Sequence, residues 1–249
     1  MKYYIDTEFI EDFRKPFLGK KRHFIDLISI AIICEDGREY YAISKDFDLK
    51  QVWNKCEPGM PDEKTGIPAP EFWLRDNVLK PIYEELYVKV NIHAKTHHPH
   101  LIQPFSYAAL KTLISWYGKT EKQIAEEIKA FAYADSLNKN GGQIILGKAF
   151  PNKYENIEFY AYYGDYDWVL FCSLFGRMID LPNGFPMYCR DLKQSVDELN
   201  ACFTIDYSIQ EDSDYPVQEN EHSAISDVRW IKKLDEFIIS YKKRGTRLT

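Results

Sequence analysis

The chain has no apolar run near the ~20 residues that a helix needs to span a bilayer. Its most apolar stretch, residues 28–34, is strand-sized and is followed at once by acidic and turn residues. An N-terminal signal peptide is not expected, because Asp6 and Glu8 stand where its apolar segment would lie. Cysteine is scarce. The five residues (Cys34, Cys56, Cys172, Cys189 and Cys202) are odd in number, scattered, and form no CxxC pair. That excludes a disulfide framework and a zinc-site pattern, and points to a reducing cytoplasm. Internal repeats and long low-complexity tracts are lacking as well.

A positive excess is also missing. The net charge is −6, which at first sight argues against a nucleic-acid partner. The charge is unevenly placed, however: Arg14, Lys15, Lys20, Lys21 and Arg22 fall within nine residues, and the tail carries Lys242, Lys243, Arg244 and Arg247. A cluster of essential carboxylates would itself make the total acidic until metal ions neutralise it, so net charge alone excludes no partner.

What is present fits an ordinary globular protein. At 249 residues, with 45% hydrophobic and 28% charged, the chain can bury a full core as one domain, or as one domain with a substantial insertion. The 18 Tyr and 15 Phe suit an α/β core, although exposed rings also stack bases.

The order of elements reads as α/β. A strand over 2–9 leads into a basic loop. Ile28, Ile30 and Ile32 then alternate on one strand face, Asp36-Gly37 makes a hairpin turn, and 39–44 returns. Residues 51–70 read as loop because of Pro58, Gly59, Pro61, Gly66, Pro68 and Pro70. A short helix is expected over 71–79. Residues 88–107 show no clear period and hold His93, His97, His98 and His100. A helix over 120–137 has Thr120 as its N-cap and Ile124, Ile128, Phe131 and Ala132 on one face. A strand over 158–163 exits through Gly164-Asp165-Tyr166-Asp167 into a helix over 168–179, and a further helix covers 192–203. The last helix, 223 to about 243, is amphipathic through Val228, Ile231, Leu234, Phe237 and Ile238. Early strands followed by strand–helix units suggest helices packed around a mixed sheet.

Three places carry chemistry. Asp6-Thr7-Glu8 lies inside the first strand, where alternation projects Asp6 and Glu8 from one face and Thr7 from the other. Two adjacent half-buried carboxylates repel each other and lose hydration, so one stays protonated unless a cation lies between them. A hard divalent ion with oxygen ligands resolves this; acids that reach water at a strand end are the plain alternative. Asp167 either caps the helix that follows it or sits where α/β folds place ligand groups, beyond the carboxyl end of a strand. In the run 222–227, His222 and Asp227 would lie about 140° apart if both were helical. They converge if His222 stays on the loop, with Ser223 as N-cap and Asp227 in the first turn. By itself His222 also suits a surface or packing role.

In that order, DxE, Tyr166-Asp167 and HxAxxD resemble the DEDD exonucleases, in the subgroup whose third motif is HxxxxD. The chain is similar in particular to the small bacterial 3′→5′ exoribonucleases first recognised in mycobacteria. Tyr4-Ile5-Asp6-Thr7-Glu8-Phe9, Gly164-Asp165-Tyr166-Asp167-Trp168 and His222 to Asp227 carry the likeness, supported by 174–178 and 186–192. It covers roughly residues 1–45 and 157–243. Two departures stand out: Tyr163 occupies a position where many relatives have Asn or His, and the long, histidine-rich middle has no assigned role.

The resemblance implies a ribonuclease-H-like three-layer α/β fold, with a central mixed β-sheet flanked by helices. It implies one exonuclease domain over 1–249, with a loop and helix insertion at about 50–118. Asp6, Glu8, Asp167 and Asp227 would hold two Mg²⁺ or Mn²⁺ ions, with Asp165 as the alternative second-motif acid and His222 as general base. The expected partner is single-stranded nucleic acid, RNA before DNA, cut to nucleoside 5′-monophosphates. A homodimer is expected, and no membrane association. Thr7 and Phe9 are candidate substrate contacts, Phe9 by stacking on the terminal base or else as core. Lys20, Lys21 and Arg22 either grip upstream phosphates or form a solvated basic loop. The four middle histidines read as a solvated tract or as transition-metal ligands. The rival readings are a DNA exonuclease with the same site and a non-catalytic binding module, which would be expected to lack one or more of the five acid and histidine positions.

Overall fold

The computed structural model describes residues 1–14, 19–61, 68–94, 104–139, 143–145, 148–150, 157–202 and 208–245. In chain order the strands and α-helices are β1 (Lys2–Arg14), β2 (Arg22–Cys34), β3 (Glu39–Ile43), α1 (Leu49–Asn54), β4 (Glu57–Pro61), β5 (Pro68–Glu71), α2 (Lys80–Ala94), α3 (Tyr107–Tyr117), α4 (Glu121–Lys139), β6 (Gln143–Ile145), β7 (Lys148–Phe150), β8 (Glu158–Ala161), α5 (Asp165–Phe175), β9 (Arg190–Asp191), α6 (Leu192–Ala201) and α7 (Ala224–Gly245). The chain forms two compact units: Met1–Thr7 with Ser29–Ala42 and Glu121–Thr249, and Glu8–Ile28 with Ile43–Thr120.

The first unit is built on a five-stranded mixed sheet in the order β3-β2-β1-β8-β9. The Asp36-Gly37 turn joins β2 to β3 as its sequence requires. Gly37 takes φ +91°, Cys34 N donates to Arg38 O at 2.9 Å, and the Asp36 carboxylate accepts from Arg38 N at 3.0 Å. β8 lies parallel to β1, with Tyr3 opposite Phe159 and Tyr4 opposite Tyr160. β9 lies parallel to β8, and α5 makes the crossover that parallel strands need.

Alternation along β1 sends successive side chains to opposite helical layers. Tyr3 points to α4, where its hydroxyl donates to Ala132 O at 2.9 Å. Tyr4 points to α7, where its hydroxyl donates to Asp235 Oδ2 at 2.7 Å. On the Tyr4 side, Tyr4, Ala31, Ile33 and Tyr160 pack with Leu192 and Val196 of α6 and with Val228, Ile231, Leu234 and Phe237 of α7. On the Tyr3 side, Phe159 meets Trp168 and Phe171 of α5 with ring centroids 5.5 and 4.8 Å apart. Each large apolar side chain so buried stabilises the fold by about 1.5–3 kcal/mol. Two helical layers around a mixed sheet give the expected three-layer, ribonuclease-H-like arrangement. Asp235, 4% exposed, is tolerated inside it because Lys2 Nζ reaches its carboxylate at 2.6 Å as well.

In the second unit β1 continues to Arg14 and β2 begins at Arg22, both beyond the expected ends. The side chains of this extension pair: Arg14 with Asp26, and His23 Nε2 with Glu11 Oε1 at 2.7 Å. Asp48 caps α1, accepting from Gln51 N at 3.0 Å. Val78, Leu79, Ile82, Leu86, Leu110, Leu113 and Ile114 are buried, and Phe105 meets Trp53 and Tyr83 with ring centroids 5.0 and 5.3 Å apart.

Residues 51–70 are not all loop, because β4 and β5 form an antiparallel ribbon despite their prolines. Pro58 stands opposite Pro70 and Pro61 opposite Pro68, so the residues that lack an N–H share rungs instead of breaking several. Gly59 is required there, since a Cβ would come 2.9 Å from Ala69 O. The short helix expected over 71–79 is present from Trp73 but is not a separate element: it passes through a π-helical turn, Arg75–Leu79, and runs directly into α2. The sequence reading also missed α3. Its signals are Ser106, whose hydroxyl accepts from Ala109 N at 3.3 Å, and the buried Ala109, Leu110, Leu113 and Ile114. Gly176, at φ +107°, stops α5 earlier than expected, and a separate 3₁₀ turn covers Met178–Asp180.

Candidate active site

The alternation that sends Tyr4 toward α7 sends Asp6 the same way, and Glu8 follows on the same uninterrupted strand. Asp227 meets them from the first turn of α7. One carboxylate oxygen from each of Asp6, Glu8 and Asp227 can be chosen so that all lie within 4.8 Å of one another. Three carboxylates at that spacing repel strongly unless protons or a cation intervene. Asp227 is only 8% exposed, and burial pushes its pKa above the usual carboxylate value. Opposing that, Gln218 Nε2 donates to Asp227 Oδ1 at 2.7 Å, and the main-chain N–H groups of His222 and Ser223 also donate to the carboxylate.

His222 is held off the helix, as the spacing requires. It takes φ +67° in the turn before α7, and Asp227 N donates to Ser223 O at 2.9 Å, which makes Ser223 the residue that starts the helix. Reciprocal bonding between the Asp227 side chain and the 222–223 backbone fixes Asp227 against the turn that carries His222.

The second motif lies where β8 ends. The chain reverses through Tyr163, at φ +56°, and Gly164, and α5 begins at Asp165. Gly164 has no room for a side chain: a Cβ would sit 2.6 Å from Ala161 Cβ and 3.1 Å from Cys189 Sγ. This close approach sets Asp167 against β1 at the level where the β8 ladder has run out. Thr7 donates to Asp167 Oδ1 twice, from its backbone N at 2.8 Å and from its hydroxyl at 2.5 Å. Asp167 is 6% exposed. Burial raises its pKa to about 6, partly opposed by the two Thr7 bonds and reinforced by the charge of Asp191. Of the two acids in this motif, Asp167 is the buried, anchored one, and Asp165 is exposed.

The structure therefore brings Asp6, Glu8 and Asp227 into one group and ties Asp167 to their strand through Thr7. Thr7, a candidate substrate contact by sequence, is buried with its hydroxyl spent on Asp167. Phe9 is half-buried on β1. Lys20, Lys21 and Arg22 are exposed in the second unit, where Lys21 Nζ lies 4.8 Å from the Phe13 ring centre. His93 falls in the last turn of α2, and His97, His98, His100 and Lys15 lie outside the described residues. Sequence reasoning missed Gln218. It stands nine residues before Asp227 on an irregular segment, and no periodic signal marks it.

Among the described residues, no helix is long and apolar enough to cross a membrane. The donor set consists of hard carboxylate oxygens, with burial opposing the ionisation of Asp227 and of Asp167, a chemistry that fits a hard divalent cation.

No family model matches the chain. Curated relatives do. Proteins named 3′-5′ exoribonuclease from two strains of Mycobacterium tuberculosis are each 30% identical to it over 194 residues, spanning 78% of this chain and 73% of the relative. With that identity over most of both lengths, the chain belongs to the family of these mycobacterial 3′-5′ exoribonucleases.

Proposed function

We propose that the protein is a divalent-metal-dependent 3′→5′ exoribonuclease that releases nucleoside 5′-monophosphates from single-stranded RNA or 3′ overhangs. The observation that carries this reading is the convergence of Asp6, Glu8 and Asp227 within 4.8 Å, in a chain related to named 3′-5′ exoribonucleases.

In this reading Asp6, Glu8 and Asp227 hold two metal ions, with Asp167 completing the set from its anchor on Thr7. When bound, such ions activate water and stabilise the leaving 3′ oxygen. Thr7 acts as a positioning residue: its two donated bonds favour the ionised form of Asp167 and fix its direction. Gln218 does the same for Asp227. His222 accepts the proton of the attacking water, being the side chain whose ordinary pKa lies near neutrality. Its left-handed turn keeps the imidazole off the helix and beside Asp227. Phe9 and the basic Lys20, Lys21 and Arg22 are assigned to the strand upstream of the cut, by stacking and by phosphate contacts. The chain works as one exonuclease domain over 1–249, with an insertion at about 50–118, and acts as a homodimer in a reducing cytoplasm.

The test is direct. Purified protein is incubated with 5′-labelled single-stranded RNA and the matching DNA, in Mg²⁺, Mn²⁺ or EDTA, beside an Asp6→Ala/Asp227→Ala variant. A ladder shortening from the 3′ end, faster on RNA and abolished by EDTA and by the variant, is the expected result. Faster cleavage of DNA would overturn the substrate assignment. Tight binding with intact substrate under every metal condition would leave a binding module.

A further inference from the structure

Tyr163 combines two features that rarely occur together. It sits at φ +56°, the left-handed region that a bulky β-carbon disfavours and that Asn or Gly enters easily. The residue is nevertheless 65% exposed, so the strain is not repaid by burying the side chain. A residue held in an unfavourable backbone state without a packing reward points to function.

The surroundings show what the ring is held for. Tyr162 meets it at 5.0 Å between centroids, with the ring planes at 75°. Lys193 Nζ lies 5.7 Å from its centre, and Asp191 Oδ1 accepts from its backbone N at 3.2 Å. The ring is thus positioned and still open to solvent. It stands at the carboxyl end of β8, four residues before Asp167, where parallel strands in α/β folds present their ligands. Two more exposed rings belong to the same end of the unit. Tyr166, 42% exposed, lies in the first turn of α5. Tyr188, 61% exposed, precedes Cys189, whose Sγ contacts Gly164 O at 3.7 Å.

We infer that Tyr163 is a base-stacking residue for single-stranded RNA, receiving one of the bases at the 3′ end on its exposed face. The inference rests on the exoribonuclease reading for the identity of the strand, and it adds a binding residue that neither metal ligation nor proton transfer requires. An aromatic face accepts any base, so such a site increases affinity without selecting sequence.

The experiment is a double cycle read by binding rather than cleavage. A 5′-fluorescein oligoribonucleotide is titrated in EDTA and followed by anisotropy, with wild type, Tyr163→Asn and Tyr163→Phe. The RNA carries either all its bases or one abasic residue at each of its three 3′-terminal positions in turn. Loss of one base–ring stack weakens binding about tenfold. Tyr163→Asn is expected to show that loss on intact RNA, and almost none on the RNA abasic at the stacked position, because the partner is already absent. Tyr163→Phe should bind like wild type. Relief of the left-handed tyrosine should also raise the melting temperature of Tyr163→Asn by about 2–5 °C, which separates lost binding from damage to the fold. Independent losses at all three positions, unchanged affinity in Tyr163→Asn, or a Phe variant as weak as Asn would each overturn the assignment. Because no step needs cleavage, failure of the exonuclease reading shows separately, as intact RNA in Mg²⁺ and Mn²⁺.

Discussion

Replacing Asp167 by Asn should stabilise the metal-free protein while destroying its activity. Asp167 is 6% exposed, and burial raises its pKa from 3.8 to about 6. At ~1.4 kcal/mol for each tenfold change in a protonation constant, ionising it in the folded apoprotein costs up to about 3 kcal/mol. The folded state therefore binds more protons than the unfolded state between pH 3.8 and about 6. Stability is lost as pH rises through that window, and the full cost is present above it. Asn removes the charge but keeps Oδ1, so both Thr7 donors retain their acceptor. The two Thr7 bonds are already contained in that shift, and Asn stands in for the neutral acid, so a gain of about 2–3 kcal/mol remains above pH 7. For a chain of this size that is roughly 4–12 °C in melting temperature. The assay is thermal unfolding in EDTA from pH 4 to 8, wild type against Asp167→Asn. The two curves should coincide near pH 4 and separate as pH rises, with cleavage of RNA absent in the variant throughout. A variant less stable than wild type at pH 8, or an offset independent of pH, would refute the idea that Asp167 stores uncompensated charge.

Added Mg²⁺ or Mn²⁺ should stabilise wild type, by about 2.7 kcal/mol at a hundred times the dissociation constant, and should leave an Asp6→Asn/Glu8→Gln variant unmoved in scanning calorimetry. Gln218→Leu removes the donor on Asp227, so the Asp227 pKa rises further. Metal binding needs the ionised form, and the pH below which Mn²⁺ ceases to raise the melting temperature should move upward. Gly164→Ala places a Cβ 2.6 Å from Ala161 Cβ; denaturant titration should show a loss of about 1–3 kcal/mol, and RNA cleavage should fall because the junction carrying Asp167 must shift.

Much of the site is legible because short-range geometry dictates it. Period-two alternation forces Asp6 and Glu8 onto one side of β1 and Thr7 onto the other, wherever the strand is packed. The five-residue separation of His222 and Asp227 forbids both from being helical if they are to converge, and His222 does take a left-handed turn. Asp36-Gly37 specifies its hairpin by its own backbone preferences. The middle of the chain was less legible, since a ribbon whose prolines share rungs and a helix entered through a π-turn both break the local rules. Tertiary structure alone decided which partners complete the site. Thr7 and Asp167 are 160 positions apart and share two bonds, and Gln218 is recruited from an irregular segment. The sequence by itself determined which carboxylates exist and which side of their own element they leave from, because those are properties of the local backbone. That they meet, that Asp167 is buried enough to resist ionisation, and that Tyr163 is strained yet exposed were decided by the fold, since each depends on atoms brought close by packing rather than by position in the chain.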